Sequence, residues 1–269
     1  MYKKILIIAL ALMCVSAVEA QNKKQKSNVT PIPDEWNDKE VFEQHKLYPR
    51  VNVVPYASER GIEKQAYTQS PYYVSLNGEW QCVVKNSMDS RPDPESKDFS
   101  AAEWSTTKVP SYILEVGGKN YKTPAIKNPN SLPLADNPVA TYYREFDAPK
   151  TWKDYNAFLR LQARSAYYVW INQTYVGYSE DSRTLSEFNI SKYLKYGKPN
   201  TLVVQVVAAS DGTLLEMEQD REMIGITGDV HTFRIRHQGI GIFCTFRGTK
   251  AQIDISLSFA HFETISCGW

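Results

Sequence analysis

The sequence is poor in the groups that build metal and redox centres. Its 269 residues contain four cysteines, at positions 14, 82, 244 and 267, and four histidines. No CxxC pair and no cysteine–histidine ligand spacing occurs, which argues against structural zinc. Without Cys14 three cysteines remain, an odd number that makes no disulfide framework. Cys82 alternates into an extended segment and is expected to be a small buried apolar side chain. An excess of charge is lacking too: 31 basic and 30 acidic residues nearly cancel. That balance gives no electrostatic reason to expect nucleic acid or an anionic membrane as partner. Internal repeats, long helical periodicity, an alternating β/α pattern and a Gly-rich phosphate loop are all missing. Ser182 and Ser186 have no histidine near them, so a serine nucleophile is unsupported.

The apolar run Ile5 to Val15 is too short to span a membrane comfortably. Lys3-Lys4 precedes it and the small residues of Val18-Glu-Ala20 follow, so residues 1–20 read as a secretory signal peptide. The expected destination is the periplasm or the outside of the cell, with no membrane contact after cleavage. Removing 1–20 takes away Lys3, Lys4 and Glu19, leaving 29 charges of each sign. Residues 21–33 form a polar leader that is expected to be disordered.

Aromatic side chains are plentiful, with seventeen tyrosines. The stretch Asn156 to Gly212 organises the rest. Leu159, Leu161 and Ala163 alternate with Phe158, Arg160 and Gln162, as in an extended strand. Tyr167, Val169 and Ile171 oppose Tyr168, Trp170 and Asn172, and Asn172-Gln173 suits a tight hairpin turn into Thr174–Tyr178. A polar loop, Tyr178 to Arg183, follows. Ser186 to Ile190 leads to a short helical turn, Ser191 to Tyr196, with Ser191 as cap and Gly197 as stop. Thr201 to Val207 is apolar on both sides except Gln205, like a central strand. Further strands are expected at Ser75–Val84, started by Asn77-Gly78, and at Thr141–Phe146. Residues Asp34 to Pro49, with Phe42, His45 and Tyr48, read as a strap over the domain. Phe99 and Trp104 would pin the loop 85–105. His45 lacks an acid partner and reads as structural. Such short strands joined by long loops indicate an all-β, antiparallel sandwich or jelly roll.

The run SAYYVWINQTYVGYSEDSR, then SEFNISKYL, NTLVVQVV and SDG, with Leu76-Asn-Gly-Glu-Trp80 and Val109-Pro-Ser111 upstream, carries a resemblance. Together these residues resemble the N-terminal sugar-binding domain of glycoside hydrolase family 2, in the bacterial lac-type β-galactosidase branch. The resemblance covers roughly Asp34 to Val230. It implies a galactose-binding-like jelly roll at 34–236, with His231–Arg236 as closing strand. Residues 237–269 are β-prone but divergent, holding Cys244, His261 and Cys267. They are expected to be an out-of-frame end, or a truncated second domain.

Retaining hydrolysis needs two carboxyls about 5–5.5 Å apart, which the family places on a (β/α)₈ barrel of about 250 residues. No such pattern occurs here, so the chain is expected to lack both catalytic glutamates and to be inactive alone. The resemblance places Asp181 against galactosyl hydroxyls and a bound sodium ion. The residue-level alternative is a solvated loop acid paired with Arg183. A second contact, an asparagine in the family, has Asn120 or Asn128 as substitutes. Sodium and magnesium are implied for the full-length family, with no cofactor in this chain itself. The expected ligand is a galactoside or a plant oligosaccharide, and no oligomeric state follows. A stand-alone carbohydrate-binding module is the alternative function. The acidic stretch Asp211 to Asp220 lacks calcium-loop spacing and reads as a solvated turn.

Overall fold

A computed structural model describes residues 33–49, 67–117, 121, 124, 126, 128, 132–216 and 223–235, with the backbone of 246–247 and 250–251. The expected signal peptide 1–20 and the expected leader up to residue 32, together with Asn120, Cys244, His261 and Cys267, lie outside the described residues. The all-β expectation is met: the strand pairings described are all antiparallel.

The largest sheet has seven strands. In spatial order these are β1 (Glu43–Gln44), β10 (Thr174–Ser179), β9 (Tyr167–Ile171), β12 (Pro199–Val207), β6 (Val139–Asp147), β3 (Gly78–Lys85) and β4 (Ser105–Val109). A second sheet has the order β11 (Ser186–Asn189), β7 (Asn156–Leu161), β14 (His231–Ile235) and β2 (Tyr73–Ser75). A third joins β5 (Ser111–Tyr112), β13 (Gly225–Ile226) and β8 (Ala163–Arg164). In the tail, β15 (Phe246–Arg247) pairs with β16 (Lys250–Ala251).

Alternation builds the core. Tyr142, Phe146, Val169, Ile171, Leu202 and Val204 of the large sheet meet Leu159, Leu161 and Phe188 of the second sheet. Each fully buried aliphatic or phenyl side chain is worth about 1.5–3 kcal/mol. The large sheet is covered on its other face as well. There Tyr168, Trp170, Tyr178, Val203 and Val207 pack with Trp36, Met88 and Leu132. This double cover explains why β12 is apolar on both sides.

The outer cover is the strap 33–49 and the loop 86–104. Hydrogen bonds fasten the loop: Gln205 Nε2 donates to the Pro92 carbonyl (2.6 Å), Trp170 Nε1 to Glu95 (3.1 Å) and Gln173 Nε2 to the Ser96 carbonyl (2.8 Å). Phe99 packs on the outer cluster with its ring 6.1 Å from that of Tyr143, the pinning expected of it, while Trp104 meets Phe99 edge-on at 5.5 Å.

The β9–β10 hairpin turns as its sequence demands. Asn172 (φ 51°) and Gln173 (φ 63°) both adopt left-handed conformations, as this two-residue turn requires. Other expectations need correction. Leu76-Asn77 divides Ser75–Val84 into β2 and β3. Ser186–Asn189 is a strand rather than a lead-in. The helical turn is only Ser191–Tyr193, and Ser191 does not cap it. Its hydroxyl accepts the Ala157 amide (2.9 Å) and donates to Asn189 (2.7 Å), tying the turn to β7 instead. Phe42 and Tyr48 are 61% and 91% exposed, so the strap is held by Trp36 and by β1 pairing with β10. The strand expected at 231–236 is β14, inside its sheet between β7 and β2.

Candidate functional site

Strand β10 leaves the large sheet at Ser179, and the chain crosses to β11 through residues 180–185. Asp181 sits in this crossing with its side chain 22% exposed. Its Oδ1 accepts the amides of Arg183 (3.1 Å) and Thr184 (3.0 Å), a local turn in which a short carboxylate satisfies the backbone. Its Oδ2 accepts the Thr184 hydroxyl and Lys46 Nζ, the latter at 3.1 Å.

Lys46 comes from the strap, 135 positions earlier. It bridges to Phe188 of β11, and the next amide, Leu47, donates to the Glu187 carbonyl (2.8 Å). That pairing aims the lysine at the crossing. Its side chain is 2% exposed and also meets Glu43 Oε2 at 3.1 Å. Burial pushes the Asp181 carboxyl up, but the Thr184 hydroxyl, the two amides and Lys46 together bring it down to about 2. Asp181 is therefore ionised at neutral pH.

Lys46→Met should raise the Asp181 pKa and cost about 1–2 kcal/mol of stability, because the pair is only partly desolvated. A carboxyl-carbon NMR titration and urea unfolding read the two effects. A lowered pKa stabilises above the unfolded value and loses that effect as pH falls towards 2. The variant should accordingly lose its disadvantage only in strong acid.

The residue before Asp181 points the other way. Glu180 is buried, accepts from the Tyr178 hydroxyl and the Gly212 amide (both 3.2 Å) and feels the charge of the Asp211 carboxyl. Burial and then the charge of Asp211 push Glu180 up to about 8. Asp211 opens the short helix Asp211–Glu216, whose first three residues are buried. The reading of this stretch as a solvated turn is corrected for those residues; 217–220 lie outside the described residues. The same helix holds the crossing at two more points. The Ser182 amide donates to Glu216 Oε2 (2.9 Å) and Arg183 Nη2 to the Glu216 carbonyl (3.0 Å). Arg183 is thus not the ion-pair partner expected for Asp181; Lys46 is.

The remaining candidates fall into place. His45 donates from Nδ1 to the Val176 carbonyl (3.0 Å), a structural contact. The Ser182 hydroxyl accepts the Ser165 amide (3.0 Å), and Ser186 donates to Ser179 (3.4 Å). Cys82 is buried in the core, its thiol pushed up by desolvation. Asn128 is exposed, and among the described residues the hydrogen-bond partners of Asp181 are Lys46, Arg183 and Thr184.

The donor set around Asp181 does not fit sodium. All four acceptor positions of the carboxylate are taken, and a lysine ammonium already stands where a cation would. Among the described residues no group of three or more His, Cys, Asp or Glu could hold a metal ion such as magnesium.

An antiparallel sandwich with a fixed, ionised carboxylate on a rim crossing has the form of a ligand-binding domain. The chain belongs to glycosyl hydrolases family 2: the family model for the sugar binding domain matches residues 73–235. A β-galactosidase of Priestia megaterium is 35% identical over 74% of this chain and 20% of its own length. A β-galactosidase of Halalkalibacterium halodurans is 30% identical over 90% of this chain and 24% of its own. The chain thus spans about a fifth to a quarter of these relatives. A solved β-glucuronidase of an uncultured Clostridium species shares the fold, with TM-score 0.52, 15% identity, and coverage of 70% of this chain and 34% of that one.

Proposed function

We propose that this chain is the sugar-binding part of a longer β-galactosidase, and that Asp181 receives hydroxyls of the terminal galactosyl residue. The ionised, one-fifth-exposed Asp181 carboxylate carries this reading. Its Oδ1 is locked by two amides, while Oδ2 is held by a hydroxyl and an ammonium. A sugar hydroxyl can replace the Thr184 hydroxyl on Oδ2 without unpairing the charge from Lys46.

Hydrolysis itself needs other groups. Among the described residues Glu180 and Asp211 are neighbouring carboxyls, but both are buried inside the fold rather than lining an open cleft. The β-galactosidase relatives support a galactoside as ligand, and the Lys3-Lys4, Ile5–Val15 and Val18-Glu-Ala20 pattern supports export to the periplasm or beyond.

The test uses the purified chain. Methyl β-galactoside should shift the amide signals of Lys46, Asp181 and Thr184, and Asp181→Ala should remove those shifts. A chromogenic β-galactoside should not be turned over. Turnover, or an absence of shifts around Asp181 at saturating sugar, would reject the reading.

A further inference from the structure

The loop 86–104 covers the outer face of the large sheet only in part. Between this loop and the Asn172-Gln173 turn lies a groove of about 510 Å³, within the size range of small-molecule sites. Its floor is formed by outward-facing residues of three neighbouring strands: Gln81 of β3, Tyr143 and Glu145 of β6, and Thr201 of β12. Phe99 forms part of its wall. A second hollow of about 470 Å³ shares Gln81, Tyr143 and Glu145 and runs on past Thr106 of β4. The two make one trough across the strands.

The chemistry of the trough is specific. The Gln81 carboxamide and the Thr201 hydroxyl are without a hydrogen-bond partner among the described residues and can both donate and accept. The Tyr143 hydroxyl donates to Glu145 (2.8 Å), which leaves further lone pairs of that carboxylate facing out. Glu145 and Lys195 are the charged groups of the larger hollow and cancel. Tyr143 and Phe99 supply ring surface. Mixed donors and acceptors suit hydroxyls, which also do both, and aromatic carbon suits the C–H face of a pyranose. No net charge is left to recruit a phosphate or a polyanion.

We propose that this trough binds a neutral oligosaccharide, one pyranose resting on Tyr143 with its hydroxyls on Gln81, Thr201 and Glu145. The site adds to the sugar-binding reading above without using Asp181. Asn172-Gln173 closes one end of the β9–β10 hairpin, and Asp181 follows the opposite end of β10.

Amide NMR on the purified chain tests it, with xylotetraose, cellotetraose and β-1,4-galactotetraose as probes. At least one should shift the signals of Gln81, Tyr143, Gln173 and Thr201, with a dissociation constant on the order of a millimolar or below. Tyr143→Ala should weaken that binding at least about tenfold. Because Tyr143 also packs on the outer cluster, Gln81→Ala, at a half-exposed position, serves as the second variant and should weaken it as well. Asp181→Ala should leave it unchanged. Shifts from none of the three probes in the trough, or binding that survives both trough variants, would overturn the proposal. Shifts confined to the Asp181 crossing would overturn it too, while upholding the function proposed above.

Discussion

Replacing Arg160 by methionine is expected to lower the unfolding free energy by about 3–5 kcal/mol, the usual cost of stranding one member of a buried ion pair. Arg160 of β7 and Glu187 of β11 stand directly opposite in the ladder, both buried, with Nε 2.5 Å from Oε2. The guanidinium lies 4.2 Å from the centre of the Phe233 ring. On its other flank it opposes His231, which burial and then the Arg160 charge hold down at about 4. Methionine keeps much of the volume and removes the charge, so the buried Glu187 loses its guanidinium contact. His231 should then titrate closer to its ordinary value. The double variant Arg160→Met, Glu187→Leu should recover most of the loss, since neither charge remains. Urea unfolding at unchanged slope reads both effects. A loss below about 1 kcal/mol in the single variant would show that the pair is not desolvated as described. The consequence reaches the candidate site: β11 carries the bridge to Lys46 and the carbonyl that holds Leu47. Loosening β11 should therefore also raise the Asp181 pKa.

The sandwich itself could be read from local pattern. Alternation placed β7 and β9, an apolar run on both faces placed β12, and Asn172-Gln173 marked a hairpin because asparagine tolerates the left-handed conformation found there. Cys82 sat in phase with Trp80, and both are buried. The candidate site was legible in one residue only. Asp181 stood out through its motif, but its partner Lys46 lies 135 positions away, and only the pairing of the strap with β11 brings them together. Glu180 lies in the same polar loop, and its burial depends on the distant Asp211–Gly212 segment. Nothing in Ser179-Glu-Asp-Ser-Arg183 says that alternate carboxyls turn to opposite sides, one to a lysine and one to Asp211. Asp211 in turn looked solvated because acidic residues crowd after it, whereas a short helix buries it. Phe42 and Tyr48 misled in the opposite sense. Aromatic character suggested contact, yet backbone pairing at a sheet edge holds the strap without them.

Glu180 should withdraw stability as pH rises from about 4.5 to about 8, opposed by His231, whose lowered value adds stability between about 4 and its ordinary 6.5. Below its ordinary value of 4.5, Glu180 is protonated in folded and unfolded chains alike. Between 4.5 and 8 the unfolded chain releases that proton while the folded chain keeps it, so the unfolded state gains with every step in pH. The slope can reach about 1.4 kcal/mol per pH unit, and the sum should be on the order of a few kcal/mol. The proton is held because burial disfavours a charge at Glu180 and because the charge of Asp211 repels a second one beside it. Tyr178 and the Gly212 amide favour ionisation, but both sit at 3.2 Å and do not offset the pair. Tyr178 is itself pushed up by burial and by Glu180, and Tyr168 by burial and by Glu35, so neither phenol releases a proton in this window. Glu180→Gln keeps the size and has no proton to lose. The variant should match the parent chain near pH 5 and exceed it near pH 8.5, as measured by urea midpoints across the range. Parallel pH profiles for the two proteins would mean that Glu180 is already ionised in the folded chain.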